Sequence, residues 1–313
     1  MKYTICLIIF NEGITIRQLI NKLTIQNHDI SEILIIDGGS QDKTVNIIKK
    51  LQRKYRFIKL IINKNCTRSE GRNIAVNNAK NEIVVMTDAG CLPKKNWIIN
   101  IVKPLSDSKV DVVAGFYEMV YKNKFQKAES FFLGVLPEDY SSSFLPSTRS
   151  IAFRKSIWKK IGGFSEDLDD TAEDTMFNYR LINNKANIKL VKNAVVEWGM
   201  PNNICEFFDK IFRYAKGDAK SKIWIFPGKG ITSHNIKTLF VILRYLTGLL
   251  LLILSINKTV SPIVIIFLIF IYIIYIYQKI YRAFGEIDTA LLGIPLQFVA
   301  DLGVISGFIS GLF

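Results

Sequence analysis

The chain has 313 residues, 49% of them hydrophobic, and a formal net charge of +14. That length suits one sizeable domain plus an appendage. The positive charge comes without a basic low-complexity arm, zinc-finger spacing or an RNP-like aromatic motif, so it points away from nucleic acid and toward a membrane surface and phosphorylated ligands. The cysteines, Cys6, Cys66, Cys91 and Cys205, show no CxxC spacing and the histidines are only His28 and His234. This argues against structural zinc and for reduced thiols in a cytosolic compartment.

In chain order, the apolar run at residues 5–9 is too short for a signal peptide and is followed at once by Asn11 and Glu12; it reads as a first strand. Helical spacing follows at 14–25, then a strand at 33–36 ending on Asp37, a Gly38-Gly39-Ser40 turn, and a helix at 44–51. A strand at 57–62, a helix at 72–79 and a strand at 83–86 leading to Asp88 complete the regular part. Short apolar runs alternating with helical patterns imply βαβ units and a mostly parallel sheet. After residue 100 the pattern loosens: strands at 110–114 and 150–153, a loop around Tyr140 to Ser143, and a helix at 173–182 with Glu173 and Asp174 in its first turn. Acidic residues are favoured there by the helix dipole, which is the purely structural account of that pair.

Residues 204–215 carry one apolar face beside a basic edge of Lys210 and Arg213, as an interfacial membrane helix requires; an amphipathic core helix has the same pattern. The neighbouring segments favour the interfacial reading. Residues 239–256 and 260–277 are each about long enough to cross a bilayer and should form a hairpin. Lys237 and Arg244 before it, and Lys279 and Arg282 after it, place both outer ends in the cytoplasm. A third apolar segment, 290–313, contains Asp301; a lone carboxylate is expensive in a span, which favours a partly protein-covered or interfacial segment.

Asp37 and Asp88 stand at strand ends, where open α/β sheets bind ligands, and two carboxylates there suit a metal and nucleotide hydroxyls. The order of motifs resembles the family 2 glycosyltransferases, which include polysaccharide synthases and polyprenyl-phosphate sugar synthases. Phe10-Asn11-Glu12 is similar to the family's Tyr-Asn-Glu, Asp37-Gly38-Gly39-Ser40-Gln41-Asp42 to its Asp-Gly-Ser-x-Asp stretch, and Gly71-Arg72-Asn73 to its Ala-Arg-Asn. Asp88-Ala89-Gly90 sits where Asp-x-Asp belongs, and Glu173-Asp174 resembles the pair that carries the catalytic base. Lys210-Ile211-Phe212-Arg213-Tyr214 resembles a degenerate Gln-x-x-Arg-Trp motif. Two departures stand out. Gly90 replaces the second metal-motif Asp, and Lys210 and Tyr214 replace Gln and Trp, which weakens the case for processive synthesis.

The resemblance implies a GT-A fold: a Rossmann-like, mostly parallel catalytic domain at 1–203, an interfacial helix and linker at 204–236, and a membrane module at 237–313. It implies an inverting transfer from a nucleotide-diphosphate sugar to a lipid-linked or membrane-proximal acceptor, with Asp174 as general base and Glu173 orienting it. Mg²⁺ or Mn²⁺ would be held at Asp88. Phe10, Asn11, Glu12, Asp37, Arg68, Arg72, Asp88, Ala89 and Arg213 would form the donor site. A multi-pass cell-membrane protein with a cytoplasmic catalytic domain, and contacts to membrane lipids but not nucleic acid, is the implied setting. A processive polysaccharide synthase and a non-catalytic nucleotide-sugar-binding membrane protein are the alternatives. His28 reads as a turn residue, His234 as a neighbour of lipid head groups, and Trp198 as a core residue or an acceptor-stacking platform.

Overall fold

A computed structural model of the chain describes residues 1–26, 30–141, 143–168 and 171–313. His28, and Ser142 of the serine run, lie outside the described residues. The chain forms two compact units: Met1–Met119 with Pro137–Gly199, and Val120–Leu136 with Met200–Phe313. The sequence division did not set residues 120–136 apart; they group with the second unit.

The first unit is built on β1 (Tyr3–Ile9), α1 (Ile16–Thr24), β2 (Glu32–Asp37), α2 (Thr44–Lys54), β3 (Ile58–Ile62), α3 (Arg68–Asn78), β4 (Ile83–Met86), β5 (Cys91–Pro93) and α4 (Trp97–Val102). After β6 (Val112–Val120), and beyond α5 (Lys124–Leu133) of the second unit, come β7 (Ile151–Arg154), α6 (Lys155–Lys160), α7 (Glu173–Asn183) and β8 (Ile188–Gly199). The sheet order is β3-β2-β1-β4-β7-β6-β8-β5. Strands β3, β2, β1 and β4 are mutually parallel. Their two faces are both covered, so β1, β2 and β4 read as unbroken apolar runs. Ile16, Leu19, Ile20 and Leu23 of α1 are fully buried at helical spacing. Each such side chain contributes about 1.5–3 kcal/mol on leaving water.

The expectation of a mostly parallel sheet holds for that half only. β7 is antiparallel to β4 and β6, and β5 to β8, so the sheet is mixed. The sequence concealed this because β8 is long and half-exposed, without a continuous apolar run, and because β5 has three residues.

The second unit contains α5, α8 (Ile204–Ser221), α9 (His234–Ile256), α10 (Pro262–Phe284) and α11 (Ile287–Leu312). Asn203 caps α8: its Oδ1 accepts from the backbone N–H groups of Cys205 (3.0 Å) and Glu206 (2.9 Å), an arrangement that contributes about 1 kcal/mol. The apolar face of α8, with Phe207, Ile211, Ala215 and Ala219 all buried, was expected toward lipid. It is covered instead by α11, through Gly303, Gly307 and Gly311. A Cβ at Gly307 would collide with the carbonyl oxygen of Phe212, and one at Gly311 with that of Lys216. Absent side chains let the two backbones meet, a device common between membrane helices.

α9, α10 and α11 are each long and apolar enough to cross a membrane. Asp301 on α11 is not a lone carboxylate. Its Oδ2 accepts from Arg244 Nη2 (2.5 Å), Tyr245 Oη (2.9 Å) and Tyr272 Oη (3.2 Å), and its Oδ1 from Gln297 Nε2 (2.9 Å). Arg244, which flanks the hairpin in sequence, is thus the counter-ion that makes Asp301 tolerable in an apolar helix. His234 opens α9, with Nδ1 3.0 Å from Asp218 Oδ2.

Glu129 of α5 is fully buried and neither carboxylate oxygen has a hydrogen-bond partner. Burial pushes its carboxyl up to about 8, against the pull of Lys210 and with a push from Glu206. Such a group is protonated in the fold and ionised in the unfolded chain at intermediate pH. Its contribution to stability is therefore complete below the ordinary value of 4.5 and lost as pH rises through about 8. The difference is on the order of a few kcal/mol. Glu129→Gln is expected to flatten the fall in melting temperature between about pH 5 and 8 in detergent; parallel curves for variant and parent would contradict the assignment.

Candidate active site

The loops after β1 and β2 are laced together. Asn11 N–H donates to Ser40 Oγ (2.8 Å), Asn11 Oδ1 accepts from Gln41 N–H (2.9 Å), and Glu12 N–H donates to Thr44 Oγ1 (2.8 Å). Asp37 sits inside this lacing with no exposed surface. Its Oδ1 accepts from Gly39 N–H (3.0 Å) and Ser40 N–H (2.9 Å), and its Oδ2 from Ser40 Oγ (2.6 Å). Asp37 therefore helps to shape its loop through Oδ1, while Oδ2 accepts one bond, from Ser40 Oγ. Phe10 is 58% exposed at the same end of the sheet, Ala89 is buried, and Glu12 accepts a bond from Thr15 Oγ1. Burial raises the Glu12 carboxyl above its ordinary value.

The second part of the site centres on Arg72. The helix that carries it, α3, begins with a capping box: Thr67 Oγ1 accepts from Glu70 N–H, and Glu70 Oε2 accepts from Thr67 N–H. Arg68 and Arg72, one turn apart, share a face. The Arg72 side chain is 2% exposed. Its Nη1 donates to Glu173 Oε1 (2.5 Å) and lies 3.5 Å from Asp174 Oδ1. Its Nη2 donates to Thr148 Oγ1 (2.8 Å) and to Asp88 Oδ1 (3.3 Å). Arg68 is half-exposed, its Nη1 4.0 Å from Glu173 Oε1. Asn73 holds the segment leading to α7: its Nδ2 donates to Phe164 O (2.9 Å) and its Oδ1 accepts from Phe164 N–H (2.9 Å). Just before α7, Ala172 is left-handed at φ 60°. For a residue with a Cβ that conformation costs about 1–3 kcal/mol, and such strain gathers at functional sites. Here it opens the helix whose first turn carries both carboxylates to Arg72.

The two acids of that turn differ. Burial works against ionisation of Glu173, yet Arg72 and then Arg68 hold it below its ordinary value. Asp174 is raised, first by burial and then by the neighbouring charges of Glu173 and Asp88, despite Arg72 and Arg149. Its two oxygens differ as well. Oδ2 accepts from Thr148 N–H (3.2 Å) and Thr148 Oγ1 (3.1 Å), while Oδ1 is buried without a hydrogen bond. Asp88 also resists the effect of burial: Arg72, then Arg149 and Arg68, keep it below its ordinary value.

Sequence reasoning placed Arg72, Asp88, Glu173 and Asp174 at one site, and the fold brings them together. It missed Thr148 and Arg149. Arg149 lies with its guanidinium carbon 3.9 Å from the Trp198 ring centroid, so one face of Trp198 is covered by an arginine. The available signal was the polar run Ser147-Thr148-Arg149-Ser150 directly before an apolar strand. Arg213, on α8 in the second unit, pairs with Asp209 one turn earlier at 2.6 Å.

The sequence profile of glycosyl transferase family 2 matches residues 4–162. The chain belongs to glycosyl transferase family 2. The matched stretch includes Asp37, Arg72, Asp88 and Thr148 but ends before Glu173 and Asp174. Among relatives of this family 2 chain, glycosyltransferase AglE of Haloferax volcanii is 28% identical over 166 residues, 51% of this chain and 55% of that protein. A Methanococcus voltae dolichyl N-acetyl-alpha-D-glucosaminyl phosphate 3-beta-D-2,3-diacetamido-2,3-dideoxy-beta-D-glucuronosyltransferase is 25% identical over 218 residues, 63% of this chain and 68% of that protein. The chain spans about half the length of the first curated relatives it matches. The mannosyltransferase PcManGT from Pyrobaculum calidifontis, solved with GDP-Man and Mn²⁺, has a TM-score of 0.65 at 18% identity, covering 95% of this chain and 86% of its own. S. aureus TarS 1–349 gives 0.53 at 17% identity, covering 98% and 89%. These likenesses are of fold, and the fold is GT-A.

Among the described residues no group of three or more His, Cys, Asp or Glu side chains comes together to hold a metal. What the site offers is one carboxylate, Asp88, 38% exposed and held ionised. Beside it, a Cβ at Gly90 would meet nothing within 4 Å, so there is room where the second aspartate of the motif would stand. A single hard oxygen donor with open space fits a Mg²⁺ or Mn²⁺ ion whose shell is completed by substrate phosphates.

Proposed function

We propose that this protein is a membrane-anchored inverting glycosyltransferase. It moves a sugar from a nucleotide-diphosphate donor to a lipid-linked or membrane-proximal acceptor. The observation that carries the reading is Asp174 Oδ1: a buried carboxylate oxygen with no hydrogen bond, on an acid of raised pKa, beside the ionised Asp88. An acceptor hydroxyl placed against Oδ1 loses its proton to it as the oxygen attacks the anomeric carbon, and the nucleoside diphosphate departs. Glu173 stays ionised on Arg72 and fixes the first turn of α7. Arg68, half-exposed at the mouth of the cluster, is the proposed contact for donor phosphates. A divalent ion at Asp88 would supply Lewis-acid stabilisation of the leaving diphosphate.

The nucleotide-sugar donor is supported by the fold neighbours solved with GDP-Man and Mn²⁺ and with UDP, GalNAc and Mn²⁺. The lipid-linked acceptor is supported by the dolichyl-phosphate wording of the Methanococcus relative's name and by the three apolar helices. The test is transfer of labelled sugar, from a panel of nucleotide sugars, to added membrane lipid. Activity is expected to need a divalent cation, and Asp88→Ala to lose nearly all transfer with its fold intact; full activity in excess EDTA would refute the metal. Anchoring, with the GT-A unit in the cytoplasm, predicts retention in the pellet after alkaline carbonate washing. Release into the supernatant would remove that part of the proposal.

A further inference from the structure

Three observations converge on Thr148. It is 3% exposed and has a single hydroxyl proton. Its Oγ1 accepts from Arg72 Nη2 at 2.8 Å, so that proton is directed elsewhere, and Asp174 Oδ2 stands 3.1 Å away. Its backbone N–H reaches the same oxygen at 3.2 Å. The segment that carries it is pinned on both sides. Asn178 Nδ2 of α7 donates to Pro146 O (2.7 Å), while Ser150 Oγ accepts from Trp97 Nε1 (2.8 Å) and donates to Ala194 O (2.9 Å). The hydroxyl therefore links Arg72 to Asp174 in a fixed order, arginine to threonine to carboxylate.

We infer that Thr148 is a positioning residue for the acid–base step: by occupying Asp174 Oδ2 with two donors it leaves Oδ1 as the one oxygen that takes the acceptor's proton. The inference rests on the reading of Asp174 as base. Without the hydroxyl, Oδ2 keeps only the backbone donor, the carboxylate can rotate, and its ionised form loses a stabilising bond. Arg72 Nη2 would keep Asp88 as a partner.

The test is the pH dependence of kcat/KM, with kcat and donor KM, for the full-length protein in detergent with Thr148→Val and Thr148→Ser. Hydrogen bonds to charged groups are strong enough that Thr148→Val should lower kcat by roughly ten- to a hundredfold. Its acid limb should move to higher pH by about one unit, with donor KM little changed. Thr148→Ser, which keeps the hydroxyl, should restore both. If the valine variant does not fold, Thr148→Ala is read in the same way. A lower melting temperature with an unmoved acid limb and normal kcat would reduce Thr148 to packing and overturn the inference. Asp174→Asn run alongside separates the two claims. If that variant is inactive while the Thr148 variants keep the parental acid limb, only the Thr148 inference fails. If Asp174→Asn turns over normally, the base assignment fails and takes this inference with it.

Discussion

Asp174→Asn is expected to lower turnover at saturating donor by roughly 10²–10⁴, the range for loss of a positioned acid–base group. The amide keeps the size of the carboxyl, and its oxygen can still accept from Thr148. What it loses is the basic Oδ1, which has no hydrogen bond and lies 3.5 Å from Arg72 Nη1. Donor binding should persist, because the loops around Asp37 and Asp88 are untouched. The competing account treats Asp174 as a first-turn helix charge. It predicts a stability change of only about 0.3–1 kcal/mol and an unaltered rate. Turnover and melting temperature of one variant distinguish them: a normal rate with lower melting would return the residue to a structural role.

Arg72→Met is expected to destabilise the GT-A unit by about 3–5 kcal/mol, the usual consequence of removing one partner from a buried ion pair. Methionine fills much of the same space but leaves Glu173, 5% exposed, without its main counter-charge. The pH dependence should change too. Glu173 is held below its ordinary value of 4.5 in the fold, so its contribution is present above that pH and lost as the pH falls below it. Without Arg72 that depression shrinks, and acid unfolding should begin at higher pH. Arg72→Lys should recover part of the stability, since a lysine keeps the charge but cannot fork to Glu173, Thr148 and Asp88 together. Chemical unfolding in detergent at neutral pH, followed by an acid series, measures both effects. A methionine variant as stable as the parent would mean that Glu173 is neutral or solvated.

Half of the sheet was legible because its strands are buried on two faces and their sequence is therefore continuous: residues 5–9, 33–36 and 83–86 can hardly be anything else. The antiparallel half was not, because β8 alternates irregularly between exposed and covered positions and its partners come from distant parts of the chain. The acids and Arg72 were legible as chemistry, since carboxylates at strand ends and in a helix's first turn are conspicuous. Thr148 carries no charge and owes its place to long-range pairing of β7 with β4, which no local pattern announces. The face of α8 shows a different limit. An apolar stripe with a basic edge says that something apolar must cover it, and composition alone cannot distinguish a bilayer from a distant helix of the same chain, whose Gly303 meets Ile211 and whose Gly311 meets Ala219.

The glycines at 303, 307 and 311 make that cover intolerant of changes in length. An α-helix turns about 100° per residue, so one residue inserted between two of these glycines would swing the later one off the shared seam and put a neighbouring side chain against the backbone of α8. Substitutions elsewhere on α11 leave the seam alone, whereas an insertion or deletion within it does not. Over this stretch the gene can drift in spelling but not in count, and variation in the length of the C-terminal region has to fall in the connections between helices, such as residues 257–261, where no such register is kept.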